Sequence, residues 1–335
     1  MSTEKILLDP AFRRMDEIFD PADLERLRSA ADVLWARDEP MPPEELAKVK
    51  AELFAIVTPG WRHGSVDELP RLRAILDVGG GLPSPNVLDY RACFARSIRV
   101  LTCAPAFGPM VAEMALGMVL AATREIVDGH NAFVAGKEQY LHAGNIGTYT
   151  LFGQTMGIIG YGGLARALRP LIDPFRPTLL AYDPWLPDHY LRRQGVTPVT
   201  LDELLERSRV IFVLAIPTRE NQALLDRTRL SRIQPGAVLA LMSRAYVVDF
   251  DALTEMVHAR RFKAVIDVFP QEPLPLDHPI RTAPGVVLSA HRAGSVPRDL
   301  REIGRMVVDD LLTMLAGLPP TEMQCAQPEL VFRLR

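Results

Sequence analysis

Short apolar runs alternate with amphipathic stretches along this chain, which is the pattern of parallel strands joined by helices. In the first hundred residues, apolar runs predict strands at Lys5–Leu8, Val33–Trp35, Phe54–Thr58, Ala74–Val78 and Arg99–Thr102. The amphipathic stretches between them predict helices at Pro21–Ala31, Pro43–Ala51 and Val87–Arg96. This part of the chain is therefore expected to form an α/β unit of its own.

The alternation resumes after the longest helical pattern of the chain, Met110–Val127. Further apolar runs then predict strands, with helices between them, at Met156–Ile159, Thr178–Tyr182, Val210–Leu214, Ala237–Leu241, Ala264–Val268 and Val286–Ser289. A last amphipathic run, Asp299–Leu315, stops at Gly317 and a Pro-Pro pair. Because no strand follows it, this helix is expected to return to the first unit.

A glycine-rich turn links the run that ends at Ile159 to the next helix, and it reads GYGGLA from Gly160 to Ala165. This fits the G-x-G-x-x-A fingerprint, in which the first glycine makes a tight turn and the second admits a pyrophosphate. Asp183 follows the next strand, about 20 residues downstream as the fingerprint requires. Its carboxylate would accept hydrogen bonds from the adenosine ribose and repel a 2′-phosphate. The sequence thus predicts NAD as cofactor rather than NADP.

The position of this fingerprint predicts the domain organisation. At 335 residues the chain exceeds one ordinary domain, and the fingerprint lies near its middle. We expect two Rossmann-like domains with parallel sheets flanked by helices. A flavodoxin-like substrate domain, residues 1–103 plus 293–335, would carry the NAD-binding domain, residues 104–292, as an insertion. The active cleft would lie between the two domains.

Composition excludes several classes of partner. The chain is 48% hydrophobic and 24% charged, with a net charge of −3, so we expect no nucleic acid and no membrane surface as partner. The start lacks a signal-peptide core, and the nearest approach to a spanning run, Met110–Ala122, contains Glu113. Cys93, Cys103 and Cys325 show no metal-ligand spacing. The expectation is a cytoplasmic protein with reduced thiols and no metal.

Three segments at the ends of late strands carry residues suited to chemistry. Arg244 follows a buried run, and its planar guanidinium can bind a carboxylate through two hydrogen bonds. Asp267 ends a strand, Glu272 lies in a proline-framed loop, and His291 stands beside small residues. Taken singly, such an arginine is more often a surface-loop residue, such acids are more often turn residues, and such a histidine is more often packed or on the surface.

Together with the fingerprint, these segments resemble the NAD-dependent D-isomer-specific 2-hydroxyacid dehydrogenases. The similarity rests on VAEMALGMVLAATRE at Val111–Glu125, AIPTRENQALL at Ala215–Leu225, MSRAYVVDFDAL at Met242–Leu253, IDVFPQEPLP at Ile266–Pro275 and LSAHRAGS at Leu288–Ser295. It implies that Arg244 binds the substrate, Glu272 is the catalytic glutamate and His291 is the acid/base. It also implies a homodimer joined through the Met110–Val127 helix and the segment after it.

The expected cofactor contacts lie in the fingerprint and in these motifs. Asp267 is implied to bind the nicotinamide carboxamide. The other expected contacts are Gly160, Gly162, Gly163, Leu164, Asp183, Pro217, Met242, Ser243 and Gly294.

The chemistry of such a reaction accounts for the same residues. Oxidising a D-2-hydroxy acid to its 2-oxo acid needs a base, a cation for the carboxylate and a hydride acceptor. A histidine titrates near neutrality, so His291 suits the base, and Glu272 beside it would favour the imidazolium. Gly80 and Gly81, after the Ala74–Val78 strand, could offer N–H groups to the substrate carboxylate. The same glycines could equally form a flexible loop.

Some positions depart from the family pattern and leave the substrate open. Leu241 and Ala245 stand where the family usually has Asn and Gly, and Arg292 stands where relatives are often apolar. The loop Gly79–Asn86 is longer than usual and rich in proline. Two alternative functions remain: a formate dehydrogenase-like enzyme, against which Glu272 argues because that branch uses Gln, and an NAD(H)-sensing binding protein on the same scaffold.

Overall fold

The computed structural model describes residues 3–334. The chain divides into two compact units, which we call unit 1 (Met1–Phe107 with Ser295–Arg335) and unit 2 (Gly108–Gly294). Each unit is built on one sheet, and the two sheets have six and seven strands respectively.

The sheet of unit 1 has the strand order of flavodoxin. Its strands are β1 (Lys5–Leu8), β2 (Asp32–Trp35), β3 (Leu53–Thr58), β4 (Ala74–Asp77), β5 (Arg99–Thr102) and β13 (Gln324–Cys325). The order across the sheet is β13-β5-β4-β3-β1-β2, parallel except for the antiparallel β13. Counted from β2, the order 2-1-3-4-5 is the doubly wound flavodoxin arrangement, which confirms the predicted fold class of this unit.

Helices cover this sheet because its strands are nearly continuous apolar runs that must be buried on both faces. They are α1 (Met15–Ile18), α2 (Pro21–Ala30), α3 (Pro43–Val49), α4 (Tyr90–Ala95), α12 (Arg301–Leu315) and α13 (Pro328–Val331). The last long helix, α12, packs against the start of the chain so closely that a Cβ at Gly304 would overlap the carbonyl of Ile18.

Unit 2 has the order of a dinucleotide-binding fold. Its parallel strands are β6 (Thr155–Ile159), β7 (Thr178–Tyr182), β8 (Thr197–Pro198), β9 (Val210–Val213), β10 (Val238–Leu241), β11 (Lys263–Ile266) and β12 (Val286–Leu288). They are arranged as β12-β11-β10-β9-β6-β7-β8. The chain moves outward from β6 to β8 and then returns to the other side of β6 at β9. This reversal creates a crevice at the carboxyl ends of β6 and β9, where such sheets bind ligands.

The helices of unit 2 are α6 (Ile126–Val134), α7 (Gly163–Ile172), α8 (Asp188–Arg193), α9 (Leu201–Arg207), α10 (Arg227–Leu230) and α11 (Phe250–His258). Helix α5 (Ala104–Thr123) runs through the division between the units. The sequence places this helix at Met110–Val127, which is wrong at both ends. It begins earlier because Pro109 is accommodated inside it, and it ends before Glu125, whose φ of +50° breaks the helix.

The expectation that no apolar run could span a bilayer is also corrected for α5. By length and composition alone, this one helix among the described residues could do so. However, 56% of its most apolar window is buried inside the protein, as in a core helix.

Candidate active site

The glycine turn after β6 is fixed by close packing against the end of β9. Gly160 has a φ of +87°, and a Cβ on it would lie 2.6 Å from the Cα of Ala215. Only glycine fits this position without strain. By contrast, a Cβ on Gly162 or Gly163 would meet nothing within 4 Å. The turn therefore leaves an open cradle in front of the first N–H groups of α7, which is where a pyrophosphate binds in folds of this type.

Asp183, directly after β7, is tied to this turn. Its Oδ2 accepts a hydrogen bond from the N–H of Tyr161 at 2.8 Å, and its Oδ1 accepts one from the N–H of Trp185 at 2.9 Å. Each carboxylate oxygen can accept a second bond, so the predicted contact to a ribose remains compatible with this geometry. The sequence alone does not predict the hydrogen bond between Asp183 and Tyr161 of the glycine turn.

His291 and Glu272 form a hydrogen-bonded pair. The imidazole Nδ1 lies 2.6 Å from Glu272 Oε2, and the other carboxylate oxygen, Oε1, accepts the N–H of Phe269 at 2.9 Å. Because Nδ1 is engaged, Nε2 is the ring nitrogen left for a reacting group. The two side chains are 40% and 37% exposed, so solvent or a ligand can reach them.

The electrostatics of the pair favour an ionised Glu272. Partial burial raises the pKa of this carboxyl. The hydrogen bonds from His291 and the Phe269 N–H lower it, as do the charges of His291 and Arg244, and together they hold its pKa below the usual value. A carboxylate that stays charged beside a histidine stabilises the imidazolium form and fixes the orientation of the ring.

Asp267 fixes the backbone turn that carries His291. This aspartate follows β11 and is 1% exposed. Its Oδ1 and Oδ2 accept the N–H groups of Arg292 and Ala293 at 3.1 and 3.2 Å, and its own carbonyl accepts the N–H of His291 at 2.7 Å. His291 has a left-handed φ of +50°, which these three bonds maintain. The predicted contact of Asp267 with a nicotinamide stays a prediction.

Arg244 follows β10, and its guanidinium is exposed. Its Nη1 donates to the carbonyl of Ser243 at 2.8 Å, and among residues 3–334 no carboxylate pairs with it. Its charge nevertheless lowers the pKa of Glu272, which places it in the same electrostatic environment as the His291 pair. An arginine that is held by the carbonyl of the preceding residue and has no acidic partner in this part of the chain can bind an anionic ligand.

The remaining predicted cofactor residues also lie at the carboxyl ends of the unit 2 strands or at the start of α7. Met242 and Ser243 follow β10 and are buried, Pro217 lies after β9, and Leu164 is the second residue of α7. Gly294 lies beyond β12, after Ala293. The buried hydroxyl Oγ of Ser243 has no hydrogen-bond partner within the described chain, although buried polar groups usually have one.

This orphaned hydroxyl and the open glycine cradle fit a dinucleotide. The cradle and Asp183 would hold its pyrophosphate and ribose, and Ser243 could donate to its nicotinamide half. The hydroxyl of Ser289, after β12, is likewise buried without a partner in the described chain, and no motif in the sequence indicates it. Gly80 and Gly81, predicted to bind substrate, lie in unit 1 after β4. In residues 3–334 no cluster of acidic, histidine or cysteine side chains could hold a metal ion.

Comparison with known proteins agrees with this geometry. Residues 116–293, more than half of the chain, match the sequence model of the D-isomer specific 2-hydroxyacid dehydrogenase, NAD binding domain. The crystal structure of a phosphoglycerate oxidoreductase from Rhizobium etli is 36% identical. It superposes with a TM-score of 0.85 and covers 97% of this chain and 98% of that one.

Two curated relatives show lower identity. A D-3-phosphoglycerate dehydrogenase of Archaeoglobus fulgidus is 27% identical over 83% of this chain and 53% of that protein. A glyoxylate reductase of Thermofilum pendens is 28% identical over 89% of each chain. The chain therefore spans about half the length of the D-3-phosphoglycerate dehydrogenases that it matches.

Two alanine substitutions should separate folding from cofactor binding in the glycine turn. Gly160→Ala forces a Cβ against Ala215 and should cost about 2 kcal/mol or more, lowering the melting temperature by several degrees. Gly162→Ala adds a methyl group to the open cradle and should leave the melting temperature unchanged while weakening NADH binding at least tenfold. Thermal unfolding and NADH fluorescence titration measure both effects. Wild-type affinity in Gly162→Ala would show that the dinucleotide lies elsewhere.

Proposed function

Because the chain belongs to the D-isomer specific 2-hydroxyacid dehydrogenase family, we propose that it interconverts a D-2-hydroxy acid and its 2-oxo acid with NAD as cofactor. The observation that carries the proposal is the 2.6 Å contact between His291 Nδ1 and Glu272 Oε2. Because this contact engages Nδ1, His291 can both take and give a proton through Nε2. Bound NAD(H) supplies the hydride acceptor or donor.

His291 would transfer the proton of the substrate oxygen. For oxidation, the neutral ring removes the hydroxyl proton at Nε2, and the resulting imidazolium is stabilised by the Glu272 carboxylate. For reduction, the imidazolium donates its Nε2 proton to the oxygen of the 2-oxo group. Asp267 contributes by holding the turn, since a histidine displaced by one ångström would lose much of its effect.

Arg244 would bind the substrate carboxylate. Its fork can make two charge-assisted hydrogen bonds to one carboxylate, and it has no competing acidic partner among the described residues. A cation at this position would also polarise the adjacent 2-oxo group for hydride transfer. In this proposal Arg244 orients the substrate and His291 transfers the proton.

Glu272 favours this function over a formate dehydrogenase-like activity. Formate oxidation releases no hydroxyl proton and needs no carboxylate beside the histidine, whereas a 2-hydroxy acid requires a base. The other alternative, an NAD(H)-sensing binding protein, requires no ordered proton-transfer pair. The hydrogen bonds that hold Glu272 and the His291 turn on both sides therefore support an enzyme.

The 2-oxo acids to be tested as substrates are chosen from the family and from the names of the relatives. NADH oxidation would be measured with glyoxylate, hydroxypyruvate, 3-phosphohydroxypyruvate, pyruvate and phenylpyruvate. Turnover with one or more of these acids supports the dehydrogenase, and NADH binding without any turnover would support the binding protein.

We also propose that the protein is a homodimer, joined through the segment Ile126–Phe152 of unit 2. This segment includes α6 and exposes many large apolar side chains: Ile126, Val127, Phe133, Val134, Tyr140, Leu141, Ile146 and Phe152. Leu141 is 87% exposed and Ile146 is 80% exposed. Soluble proteins seldom leave so many apolar groups uncovered in one segment unless another surface packs on them. A second copy is the expected partner because the family resemblance implies a dimer.

Removing the Arg244 guanidinium should affect the substrate and not the cofactor. Arg244→Ala loses a charge-assisted pair worth about 1.5–3 kcal/mol, so kcat/KM for the best 2-oxo acid should fall by roughly 10- to 100-fold. The Kd of NADH should stay within about twofold. Arg260→Ala, at an exposed arginine before β11, is the matched control and should keep wild-type kinetics. If Arg244→Ala behaves like this control, Arg244 does not bind substrate.

Neutralising Glu272 should move the pH profile of reduction. Reduction requires the protonated His291, and Glu272 favours that form, so in Glu272→Gln a lower pH is needed to keep the ring protonated. The pH at which the reduction rate falls to half should therefore decrease. His291→Gln should lose turnover yet bind NADH. An unmoved profile excludes Glu272 from the mechanism, and an active His291→Gln excludes the mechanism itself.

Charges placed in the apolar segment should dissociate the dimer. Leu141→Asp combined with Phe133→Asp puts carboxylates on two side chains that are 87% and 62% exposed, so neither change disturbs the core of the protomer. Sedimentation equilibrium should report a dimer for the wild type and a monomer for the double variant. The control is Leu318→Asp, at an exposed leucine of unit 1. A monomeric wild type, or a dimeric double variant, would contradict the assignment.

A further inference from the structure

The apolar segment Ile126–Phe152, through which we propose that two copies join, is anchored to the sheet of unit 2 by one lysine. Lys263 is the first residue of β11, and its side chain is 15% exposed. Its Nζ donates to the carbonyl of Ala122 at 3.2 Å, to Glu125 Oε1 at 2.7 Å and to the carbonyl of Gly147 at 3.0 Å. All three protons of the ammonium group are therefore used.

The three acceptors lie at the two ends of the apolar segment. Ala122 belongs to the last turn of α5, and Glu125 directly precedes α6, so both flank the start of the segment. Gly147 lies near its end, where the chain returns towards β6. Lys263 therefore joins the start of the segment to its end, and it fixes both to the edge of β11.

The same contact fixes the bend between α5 and α6. Glu125 has a left-handed φ of +50°, a conformation that a residue with a side chain keeps only when its surroundings hold it there. Lys263 supplies this support because it binds the Glu125 carboxylate. Its charge is also favourable beside the last carbonyl groups of α5, where the helix dipole is negative. The direction in which α6 leaves α5 therefore depends on this lysine.

Gly147 completes the packing around the ion pair. A Cβ on this residue would overlap Oε1 of Glu125, the same oxygen that binds Lys263. Gly147 does not have a left-handed φ, so the close approach of the carboxylate, and not the backbone conformation, requires glycine here. The Glu125 carboxylate is thus confined between the ammonium group of Lys263 and the backbone of Gly147.

We propose that Lys263 is a positioning residue for the homodimer interface, which holds α6 and the returning chain in the arrangement that fits a second copy. This inference rests on the proposed dimer. Its physical basis is preorganisation, because a segment that is already ordered loses little conformational entropy when a partner packs on it. No local pattern in the sequence indicates this role, since Lys263 and Glu125 are 138 residues apart.

The first test removes the ammonium group. Lys263→Met keeps a long apolar side chain, and we expect the dissociation constant of the dimer, measured by sedimentation over a dilution series, to rise about tenfold or more. If the wild-type dimer is too tight to titrate, the rate of subunit exchange between labelled and unlabelled copies is measured instead and should rise by a similar factor. Lys5→Met is the matched control. Lys5 is the first residue of β1 in unit 1 and pairs with Glu52 at 2.8 Å, so its loss should leave association unchanged.

A second measurement separates the order of the segment from association. In the Leu141→Asp/Phe133→Asp variant, which we expect to be monomeric, adding Lys263→Met should make amide hydrogen exchange within residues 126–147 about tenfold faster. Exchange in the central strands β6 and β9 should stay the same. A general loss of stability would instead speed up exchange throughout unit 2.

Gly147→Ala tests the same contact with every charge retained. Its methyl group displaces the Glu125 carboxylate from Lys263, so the dimer should weaken in the same direction as in Lys263→Met. This variant decides the question if Lys263→Met does not fold.

The outcomes distinguish the inference from the proposed dimer. A dimeric wild type whose association, or whose segment exchange, is unchanged in Lys263→Met overturns the inference and leaves the dimer standing. Faster exchange throughout unit 2 overturns it as well. A wild type that is monomeric at every concentration refutes the proposed dimer and the inference with it.

Discussion

Backbone N–H groups at the ends of parallel strands must find acceptors, and in this protein four aspartates supply them. Asp9 follows β1, Asp77 ends β4, Asp183 follows β7 and Asp267 follows β11. Each carboxylate accepts at least one N–H from a neighbouring loop. Such bonds to a charged acceptor are roughly twice as strong as neutral ones. The loops that form both candidate binding surfaces therefore depend on carboxylates at the strand ends.

Burial decides which carboxylates act as supports and which can take part in chemistry. Asp267 is 1% and Asp77 is 3% exposed, whereas the side chain of Glu272 is 37% exposed. A fully buried carboxylate with both oxygens bound to backbone N–H groups is committed to the loop that it holds. Glu272 binds the backbone with one oxygen only and offers the other to His291. The carboxylates of Asp77 and Asp267 thus support loops, whereas the carboxylate of Glu272 is available for chemistry.

Each of the two glycine turns contains one glycine that the packing requires and one that has open space around it. Gly160 is required because Ala215 lies against it, and Gly80 is required because of its φ and the Phe107 ring. Beside each of them lies a glycine with open space before it, Gly162 in unit 2 and Gly81 in unit 1. In both turns a constrained glycine sets the backbone, and an unconstrained one leaves room for a ligand. Backbone N–H groups next to empty space are the arrangement in which such turns bind anions in other proteins.

The sequence by itself determined the strands, the fold class and the fingerprint, because these depend on local periodicity and spacing. Predicted strands such as Lys5–Leu8 and Arg99–Thr102 have the observed bounds. The two-residue strands β8 and β13 were missed, since so short a run has no period to detect. The start of α5 was missed because a proline inside a helix resembles a stop, and only the surrounding packing shows that it is tolerated.

For the candidate site, too, the sequence indicated some features and only the tertiary structure decided the others. The motifs indicated Arg244, Glu272 and His291, because their residue types and order along the chain are local properties. Only the tertiary structure brought Glu272 to 2.6 Å from His291 across nineteen residues of chain. It also gave Asp77, Asp183 and Asp267 their backbone partners. A carboxylate can bind any N–H group that the fold brings near it, and no pattern in the sequence states which group that will be.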